Sequence, residues 1–451
     1  MMIRKLLTAV FAAAVVAGVV APAARAQNTP AEIKVWIAFT DARLDWSRAR
    51  AEEFNAQFPQ YKVTVDGYAN YEEIQQATDL AIQQGSAPAV VQWFEVGTQR
   101  ARDFGYFTSI ADALGDRTEV NGVPVNFDDF IKPVVDYYTI DGKFTSMPWN
   151  SSSPTLYSNT AMLAELGLDA PPATWQELEA ACAIAMEKKD ALKLDGCVTW
   201  PNHGWFFEQW MAQQDALMAN NGNGRDARAT EVLFNSAEGV AIYTWWQNMH
   251  KMGYYVYSGQ QRDWGATELA ITSGKVPFII TSSADTANIT NAAKANGIDL
   301  VTSRMPYNAD KAWTGNLIGG ASLWLVKDLA PEVQEGALTF LLWFTNTENI
   351  AGWHKATGYL PLRNSSVELL ESEGWFNENP NFLTAVNQIR DTTVTPATRG
   401  ALLGTFPETR NILTRVMEEL MLQGGDVTEA LNAAKAEADK LLEEYNALYV
   451  K

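Results

Sequence analysis

Histidine is nearly missing from this chain, with only His203, His250 and His354 among 451 residues. None is spaced as a helical His-Glu-x-x-His pair, so the usual signature of a zinc hydrolase is absent. Neither a Gly-x-Ser-x-Gly elbow nor a P-loop is present, which removes the serine-hydrolase and nucleotide-hydrolase readings. Positive charge is scarce as well: 34 Lys and Arg face 53 Asp and Glu, a formal net charge of −19. Nucleic-acid binding needs a basic footprint that this balance does not supply. Any anionic ligand must be held by a local site acting against the global field. After the N-terminal segment no apolar run reaches the ~20 residues that span a bilayer, and Gly336-Ala-Leu-Thr-Phe-Leu-Leu-Trp343 is far too short. Short internal repeats and low-complexity tracts are also lacking.

The N-terminus has the pattern of a secretory signal. Arg4 and Lys5 precede an apolar stretch from Leu6 to Val20, and Ala24-Arg25-Ala26 gives the small-x-small cleavage site. Residues 1–26 are expected to be removed after Ala26, leaving Gln27 as the first residue; no cysteine follows to take a lipid. The segment carries three basic and no acidic residues, so the mature balance is 31 − 53 = −22. Export places Cys182 and Cys197, the only cysteines, in an oxidising compartment. They either form a bridge, closing a loop of ~15 residues for about 3 kcal/mol, or remain two buried thiols.

The remainder reads as α/β. Glu32-Ile-Lys-Val-Trp-Ile37, Tyr61-Lys-Val-Thr-Val65 and Ala89-Val-Val-Gln-Trp-Phe94 have strand patterns, separated by helices over Trp46 to Phe54 and Tyr71 to Gln84. This β-α-β-α-β order argues for a mostly parallel sheet, with ligands beyond the carboxyl ends of its strands, where Glu95 sits. A second lobe is expected from about Met147, with helices over Thr174 to Lys188 and Ala237 to Met252 and a buried strand at Val276-Pro-Phe-Ile-Ile280. The expected division is 27–139 with 284–326 in one lobe and 140–283 with 327–451 in the other. Asp426-Val-Thr-Glu429 is a capping box for a final helix whose Val427, Leu431, Ala434, Ala438, Leu441 and Tyr445 share one face.

The most informative blocks are Leu317-Ile-Gly-Gly-Ala-Ser-Leu-Trp324 and Thr357-Gly-Tyr-Leu-Pro361. A Gly-Gly pair lets backbone approach a ligand unobstructed, and a tyrosine in the Gly-Tyr-Leu-Pro turn can aim its hydroxyl into the same cleft. With Gly85-Ser-Ala-Pro88, Glu95-Val-Gly-Thr98, Asn150-Ser-Ser-Ser-Pro-Thr-Leu-Tyr157, Thr174-Trp-Gln-Glu-Leu178 and Leu403-Gly-Thr-Phe-Pro-Glu-Thr-Arg410 in the same order, the mature chain resembles the extracytoplasmic solute-binding proteins of ABC importers. Within them it is most similar to the glycerol-3-phosphate/glycerophosphodiester binders. The resemblance implies a two-lobed periplasmic binding (Venus-flytrap) fold, each lobe a mostly parallel sheet flanked by helices, with several hinge crossovers. It also implies a periplasmic monomer with no cofactor and no metal, which delivers its solute to membrane permease subunits driven by an ATPase.

Matched motif by motif, the resemblance puts the ligand against Tyr71, Glu95, Ser152, Ser282, Gly320, Tyr359 and Arg410. In this reading the Arg410 fork donates two parallel N–H bonds to a phosphate. Glu95 faces the other end and accepts from glycerol hydroxyls, while Ser282 lies at a helix N-terminus suited to an anion. The family has two tryptophans near the glycerol; here Trp205 matches one, while the other position falls on Asn202 or His203. Trp200 and Trp210 are expected to serve the core. An aromatic face would receive the quaternary ammonium of glycerophosphocholine. The sixteen tryptophans also suit a neutral oligosaccharide binder of the same fold. From another class, a glycerophosphodiester phosphodiesterase remains, though it needs a metal-ligand cluster that this sequence does not assemble.

Overall fold

The computed structural model describes residues 29–449; the signal-sequence assignment for 1–26 lies outside them. Strand Ala31–Ile37 alternates buried and exposed side chains, as its period-two pattern requires. It pairs in parallel with Tyr61–Gly67 on one side and Val90–Phe94 on the other. The larger sheet is then completed by antiparallel neighbours. Gly319–Val326 runs against Val90–Phe94, and both Phe107–Thr108 and Met147–Ser152 run against Gly319–Val326. The smaller sheet has the order Val198–Thr199, Phe278–Ser282, Pro154–Asn159, Leu300–Arg304, and its central pairings are antiparallel. Parallel pairing is therefore confined to the opening β-α-β-α-β run and to Val198–Thr199 beside Phe278–Ser282. The physical reason is connectivity: a strand that returns from the other lobe needs no helical crossover and can enter from the opposite end.

Sheet membership also differs from the expected division. Met147–Ser152 belongs to the larger sheet, and Leu300–Arg304 to the smaller. Only Ser153 separates Met147–Ser152 from Pro154–Asn159, so one extended segment feeds both sheets. Ser153 is fully buried and clamped: its carbonyl accepts from the Ser283 N–H at 2.9 Å and its hydroxyl from Gln388 Nε2 at 2.7 Å. We assign one crossing to Ser153, a second to the stretch between Arg304 and Gly319, and a third after helix Leu383–Arg390. Helix Pro331–Phe344, expected in the second lobe, instead lies on strand Ala31–Ile37, where Leu338, Phe340 and Leu341 join the core of Ile33, Val35 and Phe54.

The second core is built on tryptophan. Trp175 and Trp245 stack at 4.6 Å, Trp200 stacks on Trp245 at 5.6 Å, and Trp210 meets Trp200 edge-on at 5.4 Å. Trp200 and Trp210 are fully buried structural residues, as expected. The final helix, Val427–Tyr449, docks here through Val427, Leu431, Ala434, Ala438, Leu442 and Tyr445. Leu442 takes the seam position assigned to Leu441, because the 3.6-residue period carries the stripe one residue further by then. Asp426 Oδ1 accepts from the Glu429 N–H at 2.9 Å, the capping bond read from the sequence.

Cys182, on helix Trp175–Glu187, is disulfide-bonded to Cys197, beside strand Val198–Thr199, and both are fully buried. Replacing both cysteines with serine should lower the unfolding free energy by about 3 kcal/mol, the value for a loop of ~15 residues. Urea unfolding with and without reductant checks this; identical midpoints would exclude a stabilising role.

Candidate ligand-binding site

A cavity of about 720 Å³ opens between the two sheets, and all eight residues named above line it: Tyr71, Glu95, Ser152, Trp205, Ser282, Gly320, Tyr359 and Arg410. They arrive from eight separate elements or turns. Tyr71 opens helix Tyr71–Gln83, and Glu95 follows strand Val90–Phe94 at its carboxyl end. Ser152 and Ser282 end their strands, one in each sheet. Tyr359 follows Gly358, whose φ of +108° ends helix Thr347–Thr357. Its ring stacks on Trp353 at 5.4 Å and its carbonyl meets His354 Nδ1 at 2.7 Å, so the turn is firmly held.

The glycine pair lies against both Trp205 and Asn150. A Cβ at Gly319 would stand 2.6 Å from the Trp205 indole, and one at Gly320 would stand 2.0 Å from the Asn150 carbonyl oxygen. Gly320 also has φ +109°, a conformation unfavourable to any other residue. It lies in strand Gly319–Val326 rather than in a tight turn. Beside the pair, Asn150 is fully buried in the larger sheet. Asn150 Nδ2 donates to the Tyr71 hydroxyl at 3.0 Å and is itself oriented by Gln92 at 2.9 Å. Tyr71 therefore accepts from the wall and keeps its own proton for the cavity. Ser282 behaves alike, since its hydroxyl accepts from the Ala284 N–H at 3.1 Å.

Arg410 is only 2% exposed. Its Nε and Nη2 donate to Glu208 at 2.7 and 2.6 Å, and Nη2 also donates to Glu95 Oε1 at 3.0 Å. Two of the donors expected to grip a phosphate, Nε and Nη2, are thus engaged by Glu208. A guanidinium this deeply buried must have carboxylate partners, because an unpaired buried charge is prohibitive. Helix Phe406–Gln423 can bring Arg410 this close because Gly204 lacks a side chain; a Cβ there would stand 2.8 Å from the Arg410 backbone. Among the described residues Glu95 Oε2 is buried and without a partner, and so is Trp205 Nε1. Burial, the largest effect, pushes the Glu95 carboxyl up to about 7; Arg410 opposes this and Glu208 adds to it. Burial likewise raises Glu208.

Several cavity residues escaped the sequence reading. Arg43 follows the first strand, is held by Asp41 through Nε at 3.0 Å, and lies 3.8 Å from Asp285. The rule that ligands sit beyond strand carboxyl ends pointed to this segment, but only Glu95 was drawn from it. Trp264, in helix Trp264–Thr272, stands 6.2 Å from Trp205 and supplies a second aromatic wall from a distant part of the chain. Arg262, Glu268 and His203 line the cavity too. Gly320→Ala should destabilise the protein and abolish ligand binding, read by thermal melting and calorimetry; a variant that folds and binds normally would contradict the close approach.

Residues 49–384 match the family described as bacterial extracellular solute-binding protein. The chain is 32% identical over 403 residues to the sn-glycerol-3-phosphate-binding periplasmic protein UgpB of Escherichia coli (strain K12), covering 88% of this chain and 89% of that one. Its fold matches UgpB from Mycobacterium tuberculosis in complex with glycerophosphocholine, with a TM-score of 0.75 at 21% identity over 92% of this chain and 98% of that one. It also matches a cyclic alpha-maltosyl-1,6-maltose binding protein from Arthrobacter globiformis, with a TM-score of 0.72 at 21% identity over 92% and 100%. These are two-lobed binding components of ABC importers, which work with permease and ATPase subunits and are not enzymes. Among the described residues no helix is long and apolar enough to cross a membrane. With its match spanning well over half its length, the chain belongs to the bacterial extracellular solute-binding proteins.

Proposed function

We propose that the cleft captures sn-glycerol 3-phosphate and/or glycerophosphodiesters such as glycerophosphocholine for delivery to a membrane permease in the periplasm. The observation that carries this reading is the mixed lining of one cavity, where hydroxyl and guanidinium groups meet a carboxylate and aromatic rings. It offers hydroxyl donors from Tyr71, Tyr359, Ser152 and Ser282, with the Arg43 guanidinium also lining the cavity. That chemistry suits a phosphate. The same cavity is lined by the Glu95 carboxyl, Arg410 and Trp205. That chemistry suits the donating hydroxyls and the carbon face of glycerol. The roles of Tyr71, Glu95, Ser152, Trp205, Ser282, Gly320, Tyr359 and Arg410 are assigned on this basis, with Arg410 holding Glu95 rather than the phosphate.

Size supports the assignment. Glycerol 3-phosphate has about ten heavy atoms, for which the efficiency ceiling leaves ample room to reach micromolar affinity. A cavity of about 720 Å³ leaves space for the second alcohol of a diester. Hinged closure of the lobes about Ser153 would bury the ligand.

Calorimetric titration with glycerol 3-phosphate, glycerophosphocholine and maltose tests the reading. Heat is expected with the phosphorylated glycerols and not with maltose. Heat with maltose alone would favour a neutral oligosaccharide, the reading suggested by the aromatic wall of Trp205 and Trp264.

The Glu95 carboxyl gives a pH signature. As an acceptor for hydroxyls it works when ionised, and burial has pushed its pKa up to about 7. Affinity should therefore rise as pH increases through that value and fall below it. The folded protein binds this proton more tightly than the unfolded chain, so the same group makes stability fall as pH rises from the ordinary carboxyl range to about 7. Glycerophosphocholine is the proper titrant, since its diester does not titrate here whereas a monoester does at about 6. Glu95→Gln should flatten the profile and weaken binding by about tenfold, as expected for losing a hydrogen bond to a charged group. An unchanged profile in that variant would refute the role.

A further inference from the structure

His203 is the cavity residue whose protonation state is dictated by the backbone. It precedes helix Gly204–Gln213, and its Nδ1 lies 3.0 Å from the Trp205 N–H. A backbone N–H can only donate, so Nδ1 is the acceptor and carries no proton; in a neutral imidazole the proton is then on Nε2. The charged form is disfavoured, because burial, followed by Arg410 and Arg262, holds the pKa well below the usual histidine value. Protonating Nδ1 would also set two donors against each other at the helix start. No group among the described residues accepts from Nε2, and the ring lines the cavity, 5.8 Å from Trp264.

Its place in the site follows from its neighbour. Gly204 lies against Arg410, so His203 stands at the end of the cavity shared by Glu95, Arg410 and Trp205. We propose that His203 is a specificity-determining ligand contact, whose Nε2–H donates to a hydroxyl oxygen of the ligand's polyol end. This rests on the proposed function and names the group recognised within it. Here His203 Nε2–H requires an acceptor, and the Glu95 carboxyl lines the same cavity. A hydroxyl oxygen supplies that acceptor; an ammonium or a methyl group does not. The pair therefore orients a glycerophosphodiester with its glycerol toward His203 and its second alcohol away from it.

The test separates the ligand contact from the helix cap. His203→Asn keeps a good capping oxygen but is too short to place a donor where Nε2–H stands. It should melt as the parent protein does and bind glycerol 3-phosphate about tenfold more weakly, as expected for one lost hydrogen bond in a desolvated site. His203→Ala should lose thermal stability as well as affinity. In parallel, long-range nitrogen–proton NMR of histidine-labelled parent protein should report the Nε2–H tautomer, with its Nε2 resonance moving when glycerol 3-phosphate is added. Parent-like affinity in His203→Asn, or an Nε2 signal indifferent to ligand, overturns the inference. If the asparagine variant does not fold, the NMR result on the parent protein decides. Absence of heat with both phosphorylated glycerols in the parent protein overturns the proposed function itself, a result recognisable without any variant.

Discussion

The buried ion cluster of Arg410, Glu208 and Glu95 is the constraint around which the site is organised. Three charges are withdrawn from water, each only 2% exposed. Such burial is tolerated only where charge-assisted bonds replace the lost hydration, and here two bonds to Glu208 and one to Glu95 do so. Two carboxylates facing one guanidinium leave a surplus acceptor. That surplus is Glu95 Oε2, buried and without a hydrogen-bond partner among the described residues. The cluster also joins three distant parts of the chain: the end of a strand in the larger sheet, helix Gly204–Gln213, and helix Phe406–Gln423.

Glycine and buried amides do the rest of the positioning. Gly204 admits the Arg410 helix, Gly319 admits the Trp205 indole and Gly320 admits the Asn150 carbonyl. Each clears a different contact at the same wall, so the shape of the cavity depends on three absent side chains. Opposite the ion cluster, Gln92 and Asn150 form a relay inside the larger sheet that sets the direction of the Tyr71 hydroxyl. The same extended segment that carries Asn150 and Ser152 passes through Ser153 into the smaller sheet. Ser152 and Ser282, one in each sheet, thus sit at the crossing itself.

Much of this was legible in the residues. The opening β-α-β-α-β run, the capping bond at Asp426 and the structural roles of Trp200 and Trp210 follow from periodicity, spacing and composition. The eight cavity residues were reached through motif order, and the fold brings them to one cavity. Strand sense and lobe membership were harder. Nothing in the local pattern of Met147–Ser152 or Leu300–Arg304 distinguishes a strand that stays in its lobe from one that crosses, because the burial period is the same in either sheet. The carboxylate partners of Arg410 were illegible for a related reason. An arginine in a ligand-site motif reads as an anion grip, but what its fork holds depends on Glu208, which lies 202 positions away in the chain.

By itself the sequence determined an acidic α/β chain, and its motif order, with a glycine pair and a Gly-Tyr-Leu-Pro turn, carried the resemblance to two-lobed solute-binding proteins. These are properties of local pattern and composition, which need no partner to be expressed. The tertiary structure decided which charges meet, which sheet each return strand joins, and which nitrogen of His203 bears the proton. Those depend on groups brought together from remote parts of the chain, where burial turns a neighbour's identity into a protonation state and a free guanidinium into a closed pair.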